Sequence, residues 1–330
     1  MRCTILKTKR FLLLLILAVL LAAAGCAAPG GPRGTQDTLS PSVPAEGLLK
    51  VHFIDVGQAD CILAQLPGGE NMLVDAGNND DGEKVVSYLR EAGVNKIDFL
   101  VGTHPHEDHI GGLDTVINNF EIGKVYLPRV NHNTKTYRDL LAAIKARGLK
   151  VTTAAAGVEM FSSAGVDAAM LAPVNTGYEE LNDYSAVIKL TYKNVSFLLA
   201  GDAEETSEKE MLKAGFDVRA DVLKVGHHGS RTSTSPAFLR AVAPRYAVIS
   251  AGKDNDYGHP HQETLQRLEK ANVKVFRTDR DGTLIFSTNG DKIATGDGSS
   301  LSQFSFLSTR RIILGKTGFI REWPPNHLNC

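Results

Sequence analysis

Cysteine is scarce in this sequence, and the positions of the few cysteines exclude a disulfide framework. Of the four, Cys3 and Cys26 lie near the start and Cys330 is the last residue, so Cys61 is alone in the central part of the chain. A single cysteine in an alternating apolar run is typical of a small core residue. A Gly-x-Ser-x-Gly motif is also absent. The sequence therefore gives no basis for covalent catalysis through a thiol or a serine hydroxyl.

The sequence also lacks an excess of charge of either sign. Its 36 Lys and Arg residues nearly balance 37 Asp and Glu residues, which gives a formal net charge of -1 at pH 7. A protein with this balance needs a local basic patch to contact nucleic acid. The candidates for such a patch are Lys224, Arg231, Lys253, Arg277 and Arg280. The alternative is that these residues are scattered surface cations.

No apolar run reaches the roughly 20 residues that a membrane-spanning helix needs. The apolar run at residues 11–21 follows a basic start and precedes four small residues and Cys26. This order predicts a secretory signal over residues 1–26. The ending resembles a bacterial lipoprotein signal, which implies a lipid anchor on Cys26 and a place on the outer face of a bacterial membrane. The alternative is a plain cleaved signal and a secreted protein.

Residues 48–290 carry the patterns of a folded domain, between a linker and a tail. Residues 27–47 are rich in Pro, Gly, Ser and Thr, which is typical of a flexible tether. Within 48–290, apolar strand patterns in two groups alternate with helical patterns, which predicts a layered α/β domain. Residues 291–330 mix basic and apolar residues without a period. We expect a tail that takes no part in catalysis, and its composition also fits a disordered segment.

The segment THPHEDHIGG at residues 103–112 is the feature around which the chain is organised. It lies between an apolar run and a helical pattern, so His104, His106, Asp108 and His109 are expected on a strand-to-helix loop. Alternate residues of an extended segment point the same way, and the aspartate and histidine just beyond can reach a second ion. Imidazole and carboxylate ligands suit zinc, manganese or iron. The loop therefore predicts a metal site.

The HxHxDH pattern resembles the signature of the metallo-β-lactamase superfamily, and the words around it are similar to its ComEC subgroup, the extracytoplasmic hydrolase domain of competence (DNA-uptake) proteins. Seven sequence motifs, in this order along the chain, carry the resemblance: FIDVGQADCIL (53–63), LVDAG (73–77), THPHEDHIGG (103–112), NDYS (182–185), LLAGD (198–202), VGHHGS (225–230) and YGHPH (257–261). The resemblance implies a four-layer αββα sandwich with two divalent ions, zinc or manganese, at one edge between the sheets.

The resemblance also implies roles for residues outside the loop. Asp202 is expected to bridge the two ions, and His227 to be the last ligand, although a swap with His228 stays open. Asp75 is expected to orient the histidine loop without binding metal, since ligating imidazoles need such a partner. The third histidine that the superfamily often supplies is missing, and NDYS stands in its place. Asp183 could replace it as a ligand, and Asn182 or Ser185 could instead contact substrate.

Two segments after His227, residues 229–233 and 257–261, predict how substrate is bound. Small hydroxyl residues such as Ser230, with His228 beside them, suit an anionic ester. His259 is the first candidate for the acid that protonates a departing alkoxide, with His261 behind it. The alternative is a solvent-facing turn before the helical pattern at residue 262. Asp108 and His259 are thus the residues expected to act in catalysis.

These observations predict an exported metallohydrolase that cleaves phosphodiesters, with DNA as the favoured substrate. A metal ion that lowers the pKa of water makes hydroxide available at neutral pH. Two alternatives remain: a metallohydrolase of a carboxylic ester, lactone or lactam, and a non-catalytic module that binds DNA or a surface.

Overall fold

The computed structural model describes residues 47–297, and its strands, numbered in chain order, form two β-sheets. The first sheet contains β1 (Leu49–Phe53), β2 (Ile62–Gln65), β3 (Asn71–Val74), β4 (Lys96–Val101), β5 (Glu121–Pro128), β6 (Val151–Ala154), β14 (Leu284–Thr288) and β15 (Ile293–Asp297). The second contains β7 (Glu159–Ser163), β8 (Val166–Ala172), β9 (Val187–Tyr192), β10 (Val195–Leu199), β11 (Val222–Lys224), β12 (Tyr246–Ile249) and β13 (Lys274–Arg277). Their orders are β15-β14-β1-β2-β3-β4-β5-β6 and β13-β12-β11-β10-β9-β8-β7.

Eight α-helices lie in the described part of the chain, and most of them cover the outer faces of the sheets. They are α1 (Gly82–Glu91), α2 (Glu107–Ile110), α3 (Leu113–Asn119), α4 (Lys135–Ala146), α5 (Glu205–Lys213), α6 (Pro236–Val242), α7 (Gln262–Lys270) and α8 (Thr278–Asp281). Short 3₁₀ turns occur at Asn79–Asp81, Leu181–Tyr184 and Gly226–Gly229.

Three apolar clusters show how the layers stack. The central cluster joins both sheets, for example through Phe53 of β1, Phe286 of β14 and Phe197 of β10. A second cluster packs α1 to α4 on the outer face of the first sheet, and a third packs α5 to α7 on the second sheet. Each sheet is therefore buried on both faces, which is the four-layer αββα sandwich that the sequence predicts.

The parallel parts of the sheets determine where a site can form. Strands β3 to β6 are parallel neighbours in the first sheet, and β10 to β13 are parallel neighbours in the second. Ligands of α/β proteins bind beyond the carboxyl ends of such strands, because the connecting loops gather there. The loops that follow β3, β4, β10, β11 and β12 carry five of the seven motifs singled out in the sequence.

The ordered sheet extends past the domain boundary expected at residue 290. Strand β15 pairs with β14 over five residues, from Ile293 opposite Thr288 to Asp297 opposite Leu284. Backbone pairing with β14 thus adds a strand that the weak apolar pattern did not predict. The proposed signal with Cys26, most of the linker and the rest of the tail lie outside the described residues. Between residues 47 and 297, no helix has the length and apolar character to cross a membrane.

Candidate metal centre

The loop after β4 turns directly into α2, and this turn places Asp108 and His109 side by side. His106 begins the turn with extended backbone, and its carbonyl accepts hydrogen bonds from the N–H groups of His109 and Ile110. His109 is fully buried, whereas the Asp108 side chain retains 30% of its exposure. The helix therefore directs His109 into the protein interior and Asp108 towards a cleft.

Asp75, at the end of β3, fixes the orientation of His109. Its backbone is left-handed, with φ of 59°, which turns the carboxylate towards the histidine loop. The carboxylate accepts hydrogen bonds from the Thr103 N–H at 2.8 Å, the Thr103 hydroxyl at 2.7 Å and His109 Nδ1 at 2.8 Å. With Nδ1 engaged, Nε2 of His109 is left to face the other ligand candidates. These hydrogen bonds hold the His109 ring in place.

Asp108, His109, Asp202 and His228 form a group whose ligand atoms all lie within 4.8 Å of one another. Asp202 Oδ2 is 3.2 Å from His109 Nε2 and 3.5 Å from His228 Nε2. Asp108 Oδ2 is 3.1 Å from His228 Nε2 and 3.7 Å from His109 Nε2. Two imidazoles and two carboxylates at this separation are a ligand set for zinc, manganese or iron.

The polar atoms of this group fit a bound cation. Among the described residues, Asp202 Oδ1 and His109 Nε2 are buried without a well-aligned hydrogen bond. Burial alone would lower the pKa of His109, but the carboxylates of Asp202, Asp108 and Asp75 raise it well above its ordinary value. Burial alone would raise the pKa of Asp202, yet His109 and His228 hold it well below its ordinary value. The group therefore attracts positive charge, which a metal ion would supply.

His104 and His106 lie beside the group and share Asp202 with it. His104 Nε2 is 2.9 Å from His106 Nδ1 and 3.9 Å from Asp202 Oδ2. Burial, assisted by the neighbouring His109, lowers the pKa of His104 well below its ordinary value, and burial lowers that of His106. Neutral imidazole is the form that binds metal. These two residues remain candidates for a second ion next to the first.

The structure places His228, and not His227, in the group of four whose ligand atoms converge, so the ligand role expected for His227 stays a prediction. Both residues have left-handed backbones, with φ of 47° and 51°, and their rings diverge at an angle of 66°. His228 Nδ1 lies 3.0 Å from the Ser250 carbonyl, so its Nε2 faces the carboxylates. His227 Nδ1 instead lies 2.8 Å from Glu204 Oε1, and its Nε2 is 3.8 Å from Asp202 Oδ2.

The NDYS segment does not supply a replacement for the missing histidine through Asp183. The Asp183 carboxylate accepts a hydrogen bond from the Ser207 N–H of α5 at 3.1 Å. Ser185 is fully buried, where its hydroxyl accepts the Asp202 N–H at 3.0 Å and lies 3.4 Å from His104 Nδ1. Ser185 is thus positioned to hold Asp202 and His104, and the expected substrate contact is not supported. Asn182 Nδ2 points towards Glu204 Oε1 at 3.5 Å and His227 Nδ1 at 3.4 Å.

A cleft of about 260 Å³ opens onto the ligand group. Its lining residues are Gln58, His106, Glu107, Asp108, Asp202, His227, His228, Tyr257 and His259. Ser230 and His261, which were expected to bind substrate, are not among them. The Ser230 hydroxyl is 2.8 Å from that of Thr232, and His261 Nδ1 accepts the Arg231 N–H at 3.0 Å. Both residues therefore serve the loop after His228.

His259 reaches the cleft, and its surroundings oppose the protonated form of its ring. Burial and the neighbouring imidazoles of His227 and His228 lower the pKa of His259 to about 4. The ring is therefore neutral at pH 7. The Gln58 amide is fixed, because its Oε1 accepts the Gly252 N–H at 3.0 Å, and its Nε2 faces His259 Nδ1 at 3.4 Å. The ring proton thus belongs on Nε2, so His259 can donate a hydrogen bond but holds no extra proton to give.

An ion pair behind the ligand group was missed in the sequence. Lys224, expected on a basic surface patch, is fully buried with its Nζ 2.5 Å from Asp60 Oδ2. Asp60 Oδ1 is 3.6 Å from His228 Nδ1, and Asp60 Oδ2 is 3.9 Å from His109 Nδ1. The FIDVGQAD motif contains Asp60, but nothing in the sequence indicates that this residue pairs with Lys224. Arg277 is also not free for a patch, because it pairs with Asp279 at 2.6 Å.

Comparison with known proteins agrees with this geometry. Residues 54–253 match the family model of the metallo-beta-lactamase superfamily. The chain is 31% identical to ComE operon protein 3 of Bacillus subtilis and 30% identical to competence protein ComA of Neisseria gonorrhoeae. Each alignment covers 74% of this chain and 33% of the relative, so the chain spans about a third of their length.

A solved structure with a similar fold is CmlA, a diiron β-hydroxylase from Streptomyces venezuelae. It is 14% identical to this chain with a TM-score of 0.47, and the match covers 70% of this chain and 53% of CmlA.

Proposed function

Because the chain belongs to the metallo-beta-lactamase superfamily, we propose that it is a metal-dependent phosphodiesterase that acts on nucleic acid, with DNA as the favoured substrate. The observation that carries the proposal is the group of Asp108, His109, Asp202 and His228, whose ligand atoms converge beside an open cleft. A divalent ion held there would make hydroxide available at neutral pH and neutralise charge on a phosphodiester.

The residues of the chain prepare this group for hydrolysis. Asp75 holds the His109 ring, and Ser185 holds the backbone of Asp202. The neutral His259 offers its Nε2–H as a hydrogen-bond donor to a substrate oxygen in the cleft. We propose that this hydrogen bond stabilises the negative charge that develops on the departing oxygen.

The choice of substrate rests on the relatives. One of the relatives is named a competence protein, and the motifs of this sequence resemble the ComEC subgroup of DNA-uptake proteins. We therefore favour DNA over a carboxylic ester, lactone or lactam. The rest of those relatives has no counterpart in this alignment, and a role in transport is not part of the proposal.

The test uses the full chain, analysed for bound metal and assayed on DNA and on bis(4-nitrophenyl) phosphate. We expect cleavage with zinc or manganese, loss of cleavage with chelator, and no cleavage by Asp108→Ala. Hydrolysis of ester or lactam substrates without any phosphodiester cleavage would favour the carbon-substrate alternative. A fully metallated protein that binds DNA and hydrolyses none of these substrates would be a binding module, contrary to the proposal.

We further propose that the protein is exported and anchored to the outer face of a membrane through a lipid on Cys26. The support is the signal pattern of residues 1–26. In a bacterial host, the protein should fractionate with membranes, and Cys26→Ser should release it or block its processing. A variant that stays in the membrane fraction with normal processing would contradict the lipid anchor.

A further inference from the structure

Tyr257 is an exposed aromatic ring at the mouth of the metal cleft. It is 69% exposed, whereas the other exposed large apolar residues between residues 47 and 297 are Val151 at 43%, Leu48 at 42% and Leu141 at 39%. Of these, Tyr257 is the one that lines the cleft. Its hydroxyl makes no hydrogen bond within the described residues. Aromatic side chains that line a cleft are common contacts for ligands.

The Tyr257 ring continues a stack of rings that begins at the metal group. His259 lies against His228, with ring centroids 6.2 Å apart and planes at 25°. Tyr257 lies against His259, with centroids 5.7 Å apart and planes at 20°. Both pairs have the offset parallel arrangement that aromatic rings prefer. The outer face of the last ring remains open to a further flat group.

The loop that carries Tyr257 is held by the side chain of Asn255. Asn255 Nδ2 donates hydrogen bonds to the Gly252 carbonyl at 2.9 Å and the His259 carbonyl at 2.6 Å, and Oδ1 accepts the His259 N–H at 3.0 Å. The loop is therefore closed on both sides of Tyr257. A ring carried on a loop held in this way binds a flat ligand with little loss of backbone conformational entropy.

We propose that Tyr257 is the platform on which an unpaired nucleobase stacks near the phosphodiester to be cleaved. This inference rests on the proposed phosphodiesterase function and specifies its substrate as a single-stranded nucleic acid. A base in a duplex is covered by its neighbours, whereas an unpaired base offers a free face. Stacking does not read base edges, so the site should tolerate all four bases.

The test compares two synthetic strands that differ only in their bases. One is a short fluorescent DNA strand, and the other has the same backbone with tetrahydrofuran abasic units. The metal-loaded full chain is measured for steady-state cleavage, and the chelator-treated chain is measured for binding by fluorescence anisotropy. The variants are Tyr257→Ala and Tyr257→Phe, and Leu141→Ala serves as an exposed apolar control away from the cleft.

We expect Tyr257→Ala to raise the KM and the Kd for the normal strand about tenfold, which corresponds to about 1.4 kcal/mol of stacking. The kcat and all values for the abasic strand should stay unchanged, and Tyr257→Phe should behave as the parent. Equal effects on both strands, no effect on either, or an equal loss in Tyr257→Phe would overturn the platform.

The two readouts also separate this inference from the proposed function. If no strand is cleaved but the normal strand binds more tightly than the abasic strand through Tyr257, the phosphodiesterase proposal fails and the platform stands. If the parent protein cleaves both strands equally and binds them equally, the phosphodiesterase proposal stands and the platform fails.

Discussion

The two consecutive histidines after β11 have different surroundings, so single substitutions should separate their roles. His228 Nε2 faces Asp108 and Asp202, whereas His227 Nδ1 faces Glu204. We expect His228→Ala to weaken metal binding by about a hundredfold or more, because it removes one of four ligand candidates. We expect His227→Ala to weaken it by less than the roughly tenfold to hundredfold loss typical of residues that hydrogen-bond a ligand, because His227 Nδ1 bonds Glu204 instead.

Competition with a chromophoric chelator, together with elemental analysis after dialysis, measures both affinities. The opposite ranking, with His227→Ala losing metal and His228→Ala retaining it, would restore the ligand that the sequence pattern favours. The Asn182→Ala variant is a useful companion, because it removes a neighbour of His227 without touching His228.

His52 of β1 should give the protein a measurable loss of stability in mild acid. It is fully buried and hydrogen-bonded through Nδ1 to the Tyr88 hydroxyl at 2.8 Å. Burial, with the nearby Lys50 charge, lowers the pKa of His52 from 6.5 to about 4. The unfolded chain therefore binds a proton between these values that the folded chain refuses, so this stabilisation is complete above pH 6.5 and is lost as the pH falls towards 4.

The loss attributable to His52 should reach about 3 kcal/mol in the free energy of unfolding at the acid end of this range. Urea unfolding of the parent and of His52→Phe at several pH values between 4 and 7.5 measures it. The difference between the two proteins should shift by that amount across the range. A difference that stays constant with pH would show that His52 accepts its proton equally well in both states.

At the scale of elements, the Asp60–Lys224 ion pair joins the two sheets behind the ligand group. Lys224 belongs to β11 of the second sheet, and Asp60 lies two residues before β2 of the first. Lys224 Nζ also donates to the Gly201 carbonyl at 3.2 Å, one residue before Asp202. The Asp60 N–H donates to the Asp108 carbonyl at 3.0 Å. The pair thus connects the backbones of two ligand candidates.

Lys224→Met should lower the free energy of unfolding by about 3–5 kcal/mol, because it leaves the Asp60 charge buried without its partner. Adding Asp60→Asn should restore most of that loss, since the double variant no longer buries a charge. Chemical denaturation of the parent, both single variants and the double variant completes the cycle. Lys135→Met, which breaks an exposed pair with Asp139, is the control and should change little. Additive effects at Asp60 and Lys224 would contradict the coupling.

At the scale of the whole molecule, local patterns in the sequence predict the layers and the histidine loop but not the long-range contacts. The αββα sandwich and the adjacency of His109 to Asp75 follow from the strand patterns and from the motifs that resemble the family. The choice between His227 and His228 depends on two left-handed residues, which no pattern of residue types reveals. The burial of Lys224 depends on Asp60, more than 160 residues earlier, which a periodic pattern cannot connect. Strand β15 depends on pairing with β14 and has little apolar character of its own.

The ligand candidates come from both halves of the sandwich, so a bound ion should hold the halves together. Asp108 and His109 follow β4 of the first sheet, whereas Asp202 follows β10 and His228 follows β11 of the second. A ligand that binds only the folded state adds about 2.7 kcal/mol of stability at a hundred times its Kd. For a domain of this size, that corresponds to roughly 5–10 °C in Tm.

We therefore expect chelator to lower the Tm of the parent protein by about that amount and readdition of zinc or manganese to restore it. Asp202→Asn should show a Tm that chelator does not change, because it removes the carboxylate shared by His104, His109 and His228. Calorimetry at a fixed free-metal concentration measures both effects. The central apolar core still joins the sheets without metal. The chelated protein should therefore stay folded after chelation and unfold only on heating. An unchanged Tm in a parent protein shown to lose its metal would mean that the ion does not tie the two halves together.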